Sequence, residues 1–282
     1  MGRILKKYSF QKKNLMKNQY FIILCLLPLI VFGLAFLTLP IVRLFLGSFD
    51  GEYGKEVYFE ILKNPRYMRS LLDTVLVSMA ATIVALIIST TAGMWLSRNR
   101  FFGRNALISA LTFPLAFPGV VIGFLIILLG GRQGLINQMF DARIVFAYSM
   151  MGLFLGYLYF SIPRVLLTVM AAAEKLDLTL EEAAKSLGAS PFRITMDVIV
   201  PGLAPSLVAA GAIAFATAMG AFGTAFTLAT NIDVLPMVIY TEFTLSANIA
   251  MASALSVILG LVTWVLLLLA RSFTGETVAA TG

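Results

Sequence analysis

LDLTLEEAAKSLGASPFRITMDVIVP, residues 176–201, is a charged interruption between long apolar runs, and its local grammar is that of two helices joined by a tight turn. Thr179 and Glu182 have the spacing of a capping box, in which hydroxyl and carboxylate satisfy amides at a helix start. Leu180, Ala183, Ala184 and Leu187 come next at i, i+3, i+4 and i+7 and predict one apolar stripe. Glu181, Glu182 and Lys185 fall on the other face. Gly188 supplies the left-handed residue that ends a helix, and Ala189 continues into the turn. Ser190 is a second N-cap, with Pro191 at the first helical position after it. Pro201, Gly202 and Pro205 are expected to stop or kink the chain as it re-enters an apolar run. Ala183 and Ala184 leave a shallow surface that another protein's groove can approach. Glu182 offers a charge for a basic partner or for bracing the turn. The plainer alternative is an amphipathic helix lying on a membrane leaflet.

The surrounding composition decides where such an element sits. Of 282 residues, 60% are hydrophobic and 12% charged, with a mean hydropathy of +0.93. A water-soluble domain carries roughly 25% charged residues, so too little polar surface exists to cover a soluble protein. The apolar runs approach or exceed the roughly 20 residues needed to cross a bilayer. There is no histidine, and the single cysteine, Cys25, lies within the first apolar run. A Cys/His metal site, a disulfide framework and a Ser-His-Asp triad are thereby excluded, and no catalytic residue is assigned. The phosphate-binding pattern G-x-x-x-x-G-K-[ST] is absent, since Gly54-Lys55 is followed by Glu56. If ATP drives this protein, another chain binds it.

Six spans are predicted, at about 20–46, 71–97, 106–129, 144–168, 203–230 and 247–270. The formal charge of +7 reflects membrane orientation, not nucleic acid. Arg3, Lys6, Lys7, Lys12, Lys13 and Lys17 precede the first span, as a cytoplasmic flank beside anionic lipid does. With that end inside, the inner segments also hold Arg98, Arg100, Arg104, Lys175, Lys185, Arg193 and Arg271. The outer loops hold Lys55, Lys63, Arg66, Arg69, Arg132 and Arg143. This bias of about two to one puts residues 171–202 and both termini in the cytoplasm. The expected organisation is a basic N-terminus (1–19), one membrane domain (20–270) and a tail (271–282). A short helix, Tyr58 to Lys63, is expected to lie on the membrane surface in the outer loop 47–70.

Glu182-Ala183-Ala184, Gly188, Ile199 and Pro201 stand in the register of the EAA loop, with Val200 in place of its usual Leu. The chain thus resembles the permease subunits of ATP-driven, binding-protein-dependent importers. The resemblance implies an all-α integral membrane protein of the type I importer fold, in a bacterial inner membrane. It implies no enzyme activity and no cofactor of its own: ATP and Mg²⁺ would sit on the partner ATPase. The implied partners are two ATPase subunits, a second permease (a paralogue in this branch) and an extracytoplasmic solute-binding protein. Glu181, Glu182, Ala183, Ala184, Leu187, Gly188, Ala189, Ser190 and Pro191 would couple the loop to the ATPase.

Polar residues within the spans are candidates for the pathway: Ser78, Thr82, Ser89, Thr90 and Thr91 in the second; Tyr148, Ser149, Tyr157, Tyr159 and Ser161 in the fourth; Thr217, Thr224, Thr227 and Asn231 in the fifth. For any one of them, bonding to its own helix is the commoner role. The spans read as free of interior charge: Arg43 and Asp73 lie near edges and Glu242 falls outside. Thr217, Gly220, Phe222, Gly223 and Thr224 form a small-residue tract that suits either close helix packing or a gate with Phe222 as plug. Pro114 and Pro118 imply a kinked or broken third span. These tracts resemble the branch that moves sulfate, molybdate, ferric iron, polyamines and phosphonates. Sulfate and molybdate permeases usually carry an Arg and G-E-F-G where this chain has Thr217 and Gly220-Ala221-Phe222-Gly223. The wording is nearer phosphonate, iron and polyamine members, with 2-aminoethylphosphonate favoured. An ion-coupled secondary transporter would need intramembrane carboxylates, a membrane enzyme would need a catalytic cluster, and a subunit that transports nothing would have no use for the loop.

Overall fold

The computed structural model describes residues 19–140, 144–228 and 232–272, and every regular element among them is helical. Six stretches are long and apolar enough to cross a membrane: Leu24–Gly47, Pro65–Arg98, Gly119–Phe140, Met150–Ala173, Pro191–Met219 and Ile249–Ser272. They match the expected spans in number and order. The basic segment before residue 19, Arg143, Asn231 and the tail beyond Ser272 lie outside the described residues.

The bounds differ from expectation where capping and proline chemistry intervene. The second span starts at Pro65 because Asn64 caps it, its side chain accepting the Arg66 N–H at 3.0 Å. At 1.5 Å per residue its 34 residues run about 51 Å, against a hydrocarbon core of about 30 Å. The turns bearing Arg66 and Arg69 therefore stand clear of the apolar slab. The preceding helix, Val57–Lys63, is docked by one face: Val57 and Ile61 are buried in a cluster with Tyr67, Leu235, Val238 and Leu255, while Phe59 and Leu62 stay exposed.

Two spans are broken. Around the third, a helix over Arg104–Thr112 gives way to a 3₁₀ turn, Phe113–Ala116. Phe117 and Pro118 are extended before the helix resumes as Gly119–Gly130. That is the break expected of Pro114 and Pro118, and it delays the crossing helix to Gly119. The fifth is broken where no proline announced it: its helix ends at Met219, Gly220 caps it, and a short helix restarts over Phe222–Leu228.

The other correction concerns Pro201. It neither stops nor separates anything, because Pro191–Met219 is a single 29-residue helical body. A π-helical turn, Thr195–Ile199, precedes Pro201 and absorbs the hydrogen bond that proline cannot make. The second helix of the helix-turn-helix is thus the end of the fifth span itself.

The core lies between the second, fourth and fifth spans, around buried Ala81, Ala85, Leu153, Tyr157, Val165 and Ala214. A Cβ on Gly93 would sit 3.0 Å from Val169 Cγ1, so the second and fourth helices approach closely there. The first span has no buried residue in its apolar window, so in the membrane lipid or another protein must cover it.

Candidate functional site

The loop helix, Leu178–Ser186, begins at Asp177 and not at Thr179: the Asp177 carboxylate accepts the Thr179 N–H at 2.9 Å. The expected Thr179/Glu182 box is therefore replaced by a cap two residues earlier. That N–H holds the Asp177 carboxyl below the usual carboxylate range. A lowered pKa stabilises the fold above the ordinary value, and the contribution is lost as pH falls through the lowered one. We expect amide exchange across the first turn, corrected for intrinsic rate, to accelerate on acidification in wild type. Asp177→Asn, which caps without titrating, is expected to abolish that pH dependence. The other end obeys its sequence: Gly188 has φ +78°, and the Ala189 N–H reaches the Ala184 carbonyl at 3.1 Å, closing the turn. Ser190 caps the next helix, accepting the Arg193 N–H at 3.4 Å, with Pro191 in its first turn.

The structure decides which face of the loop helix points outward. Glu181 is 6% exposed, and both its oxygens are held by the Arg98 guanidinium, Nη1 to Oε2 at 2.8 Å and Nη2 to Oε1. Arg98 ends the second span. Beside it Arg104 donates to the Leu96 carbonyl at 2.7 Å and pairs with Glu174 at 3.8 Å. Arginines that the sequence offered only as topology signals thus grip the loop. The apolar stripe is mostly bare: Leu180 and Ala183 are exposed, Leu187 is 88% exposed, and only Ala184 turns toward the core. Glu182 is exposed beside them. The capped loop thus presents Glu182, Ala183 and Leu187 outward.

The two helix breaks meet. The Thr224 hydroxyl donates to the Gly119 carbonyl at 3.0 Å, and that of Thr227 to the Val120 carbonyl at 3.3 Å. A Cβ on Gly223 would lie 3.1 Å from the Val120 backbone nitrogen, so Gly223 serves close packing. Gly220, exposed, serves the break itself. Beside the junction lies a cavity of about 360 Å³ lined by Phe117, Phe160, Arg164, Thr217, Gly220, Phe222, Gly223 and Thr224 among others. Five of the six gate candidates are brought together here. The sixth, Pro118, is the extended residue capping the Gly119 helix. Phe222 packs against Phe226 and Tyr240, with ring centroids 5.3 and 5.1 Å apart.

Arg164 overturns the expectation of charge-free spans. It stands inside Met150–Ala173, and its Nη1 donates to Thr217 Oγ1 at 2.6 Å. A lone arginine among apolar residues was a readable signal. Three candidates of the second span, by contrast, bond within the bundle: Thr82 to the Ser78 carbonyl, Thr91 to Ile87, and Ser89 across to Ile162. Ser78 and Ser161 are fully buried, and their hydroxyls have no hydrogen-bond partner among the described residues.

A helical bundle with broken crossing helices beside a cavity bordered by an arginine, and a capped two-helix loop at one end, is the architecture of a transport permease. Residues 85–275 match the family described as "Binding-protein-dependent transport system inner membrane component", and the chain belongs to it. This is a family of membrane transport components and not of enzymes. The molybdenum transport system permease protein ModB of Escherichia coli K12 is 32% identical over 191 residues, covering 64% of this chain and 81% of its own length. PhnU of Salmonella typhimurium LT2, whose name assigns it to 2-aminoethylphosphonate transport, is 29% identical over 264 residues, 89% of this chain and 92% of its length. The sulfate permease CysT of Escherichia coli K12 is 31% identical over 208 residues, 70% and 74% of the two chains. Among solved structures, a chain of the bacterial alginate ABC transporter in complex with an alginate-bound periplasmic protein superposes with a TM-score of 0.77 at 18% identity, over 96% of this chain and 98% of that one. At such identity it speaks for the fold alone. The relatives divide among molybdate, phosphonate and sulfate, so they do not carry the narrowing away from sulfate and molybdate.

Proposed function

We propose that this chain is one of two permease subunits in an ATP-driven bacterial importer of a small oxyanion-bearing solute, 2-aminoethylphosphonate first among the candidates. A binding protein delivers the solute to the outer face. Two ATPase subunits, which carry ATP and Mg²⁺, grip the cytoplasmic loops, and the second permease is a paralogue. The inner membrane holds six spans with both termini in the cytoplasm. The phosphonate reading rests on Ala221, where sulfate and molybdate members usually have Glu, and on the length of the match to PhnU.

The observation that carries the reading is the bracing of the loop. Glu182, Ala183 and Leu187 face outward from a helix pinned by Arg98–Glu181. The next helix runs without interruption from Pro191 to Met219, about 43 Å at 1.5 Å per residue. A displacement applied by an ATPase at the loop is therefore delivered at Gly220, beside the cavity, instead of being absorbed by flexible chain. Glu182, Ala183, Ala184, Leu187 and Ala189 form the contact surface, and Gly188, Ser190 and Pro191 hold its shape. Glu181 acts from inside.

Co-expression with the candidate ATPase, second permease and binding protein tests this. The expected result is a co-purifying complex whose ATP hydrolysis rises with loaded binding protein. Glu182→Ala and Gly188→Val should weaken assembly. A wild-type chain that retains no ATPase, or a Gly188→Val chain that assembles and couples normally, contradicts the proposal.

A further inference from the structure

We infer that Arg164, oriented by Thr217, is an anion-binding station on the translocation pathway; this rests on the importer reading above. Arg164 lies nine residues before Ala173, the end of its 24-residue helix, so about 13 Å along the axis from that end. Intramembrane charge at such depth is costly and rare unless it faces a partner or a water-filled cavity. Among the described residues no carboxylate lies within 4.0 Å of Arg164; the ion pairs found join Arg66, Arg69, Arg98 and Arg104 to other acids. What the guanidinium has instead is one hydrogen bond, to Thr217 Oγ1 at 2.6 Å.

The direction of that bond matters. The Thr217 hydroxyl already donates to the Ile213 carbonyl at 2.7 Å, so toward Arg164 it can only accept. It fixes the guanidinium without neutralising it. A guanidinium has five N–H donors, and a single one is engaged here. Arg164 borders the cavity of about 360 Å³, which falls within the range of small-molecule sites. Its other walls are apolar or small, including Phe117, Phe160, Gly220 and Phe222. They lower the local dielectric and strengthen an arginine's attraction for an oxyanion. The planar fork matches phosphonate, sulfate or molybdate oxygens two at a time. A structural tie between the fourth and fifth spans needs only a donor to Thr217 and no full charge.

The test uses the complete importer, with ATPase, second permease and binding protein, in proteoliposomes. Uptake of 2-aminoethylphosphonate, molybdate, sulfate and inorganic phosphate is measured beside ATP hydrolysis stimulated by loaded binding protein. Arg164→Gln keeps a donor for Thr217 and removes the charge. Uptake of whichever anion wild type carries should fall about tenfold or more, the scale of one lost charge-assisted hydrogen bond, while stimulated hydrolysis stays within about twofold. To separate charge from folding, Arg164→Cys in a Cys25→Ser background is treated with methanethiosulfonate reagents after assembly. The ethylammonium reagent should restore uptake and the ethylsulfonate reagent should not. Equal rescue by both, rescue by neither, or wild-type uptake in Arg164→Gln overturns the inference while leaving the importer reading intact. A wild-type complex that neither hydrolyses ATP in response to binding protein nor takes up any solute contradicts the importer reading instead.

Discussion

Arg98→Ala is expected to uncouple ATP hydrolysis from the membrane domain while leaving the six spans in place. Removing the guanidinium leaves the Glu181 carboxylate, 6% exposed in the native structure, without its partner; a fully buried pair broken from one side costs about 3–5 kcal/mol, and with Arg98 29% exposed the cost here lies below that range. The loop helix has only nine residues, too few to be stable alone, so it relieves that cost by swinging Glu181 out to water. The outward face then loses its fixed geometry. The predicted readings are an ATPase affinity lowered by at least about tenfold, the equivalent of 1.4 kcal/mol, and hydrolysis that no longer responds to binding protein. Glu181→Gln, which removes the charge but stays neutral when buried, should be milder. The exchange Arg98→Glu with Glu181→Arg should recover part of the coupling. An Arg98→Ala complex that couples normally would show that this pair does not anchor the loop.

Gly223→Leu is expected to abolish solute uptake without dislodging the ATPase. Its Cβ would press 3.1 Å from the Val120 backbone nitrogen, which cannot rotate away as a side chain could. Overpacking of this kind costs about 1–3 kcal/mol. Here the strain falls on the meeting point of the two helix breaks, where Thr224 and Thr227 bond to the Gly119 and Val120 carbonyls. Separating those breaks reshapes the cavity, while the loop, at the far end of the Pro191–Met219 helix, keeps its caps. Gly220→Ala, whose Cβ would meet only the Ala216 carbonyl oxygen at an ordinary 3.8 Å, should have a much smaller effect on uptake. The contrast is read by measuring uptake and ATPase co-purification on the same preparations.

These two sites differ in how far the sequence disclosed them. The caps at Gly188, Ser190 and Pro191 were legible because capping is settled within a few residues, and Pro114 and Pro118 announced their break for the same reason. The break at Gly220 was not, since Gly and Ala interrupt a helix only when tertiary contacts such as Thr224 to Gly119 favour it. The stripe of Leu180, Ala183, Ala184 and Leu187 was visible as a period. A period, however, does not say which side meets the protein. That depended on Arg98, 83 residues away from Glu181, and it placed Glu181 inside with Leu187 out. Pro201 suggested a stop because the π turn before it leaves no sequence mark of its own. Arg164 is readable residue by residue, but a mean taken over its apolar neighbours still reads as membrane and passes over it. By the resemblance, Thr217 stands where sulfate and molybdate permeases would carry an Arg. In the structure the Arg164 guanidinium reaches Thr217 from the neighbouring helix.

The central claim is that the outward face of the loop helix is the seat of a separate ATPase, and a cross-link tests it most directly. Leu187→Cys, at a side chain 88% exposed, is placed in a Cys25→Ser background and assembled with the candidate ATPase, itself carrying single cysteines around its membrane-facing groove. A disulfide-linked adduct is predicted from Leu187→Cys, altered in yield by ATP, and none from Thr263→Cys in the sixth span. Complexes that transport but give no adduct from Leu187→Cys at any groove position would contradict it.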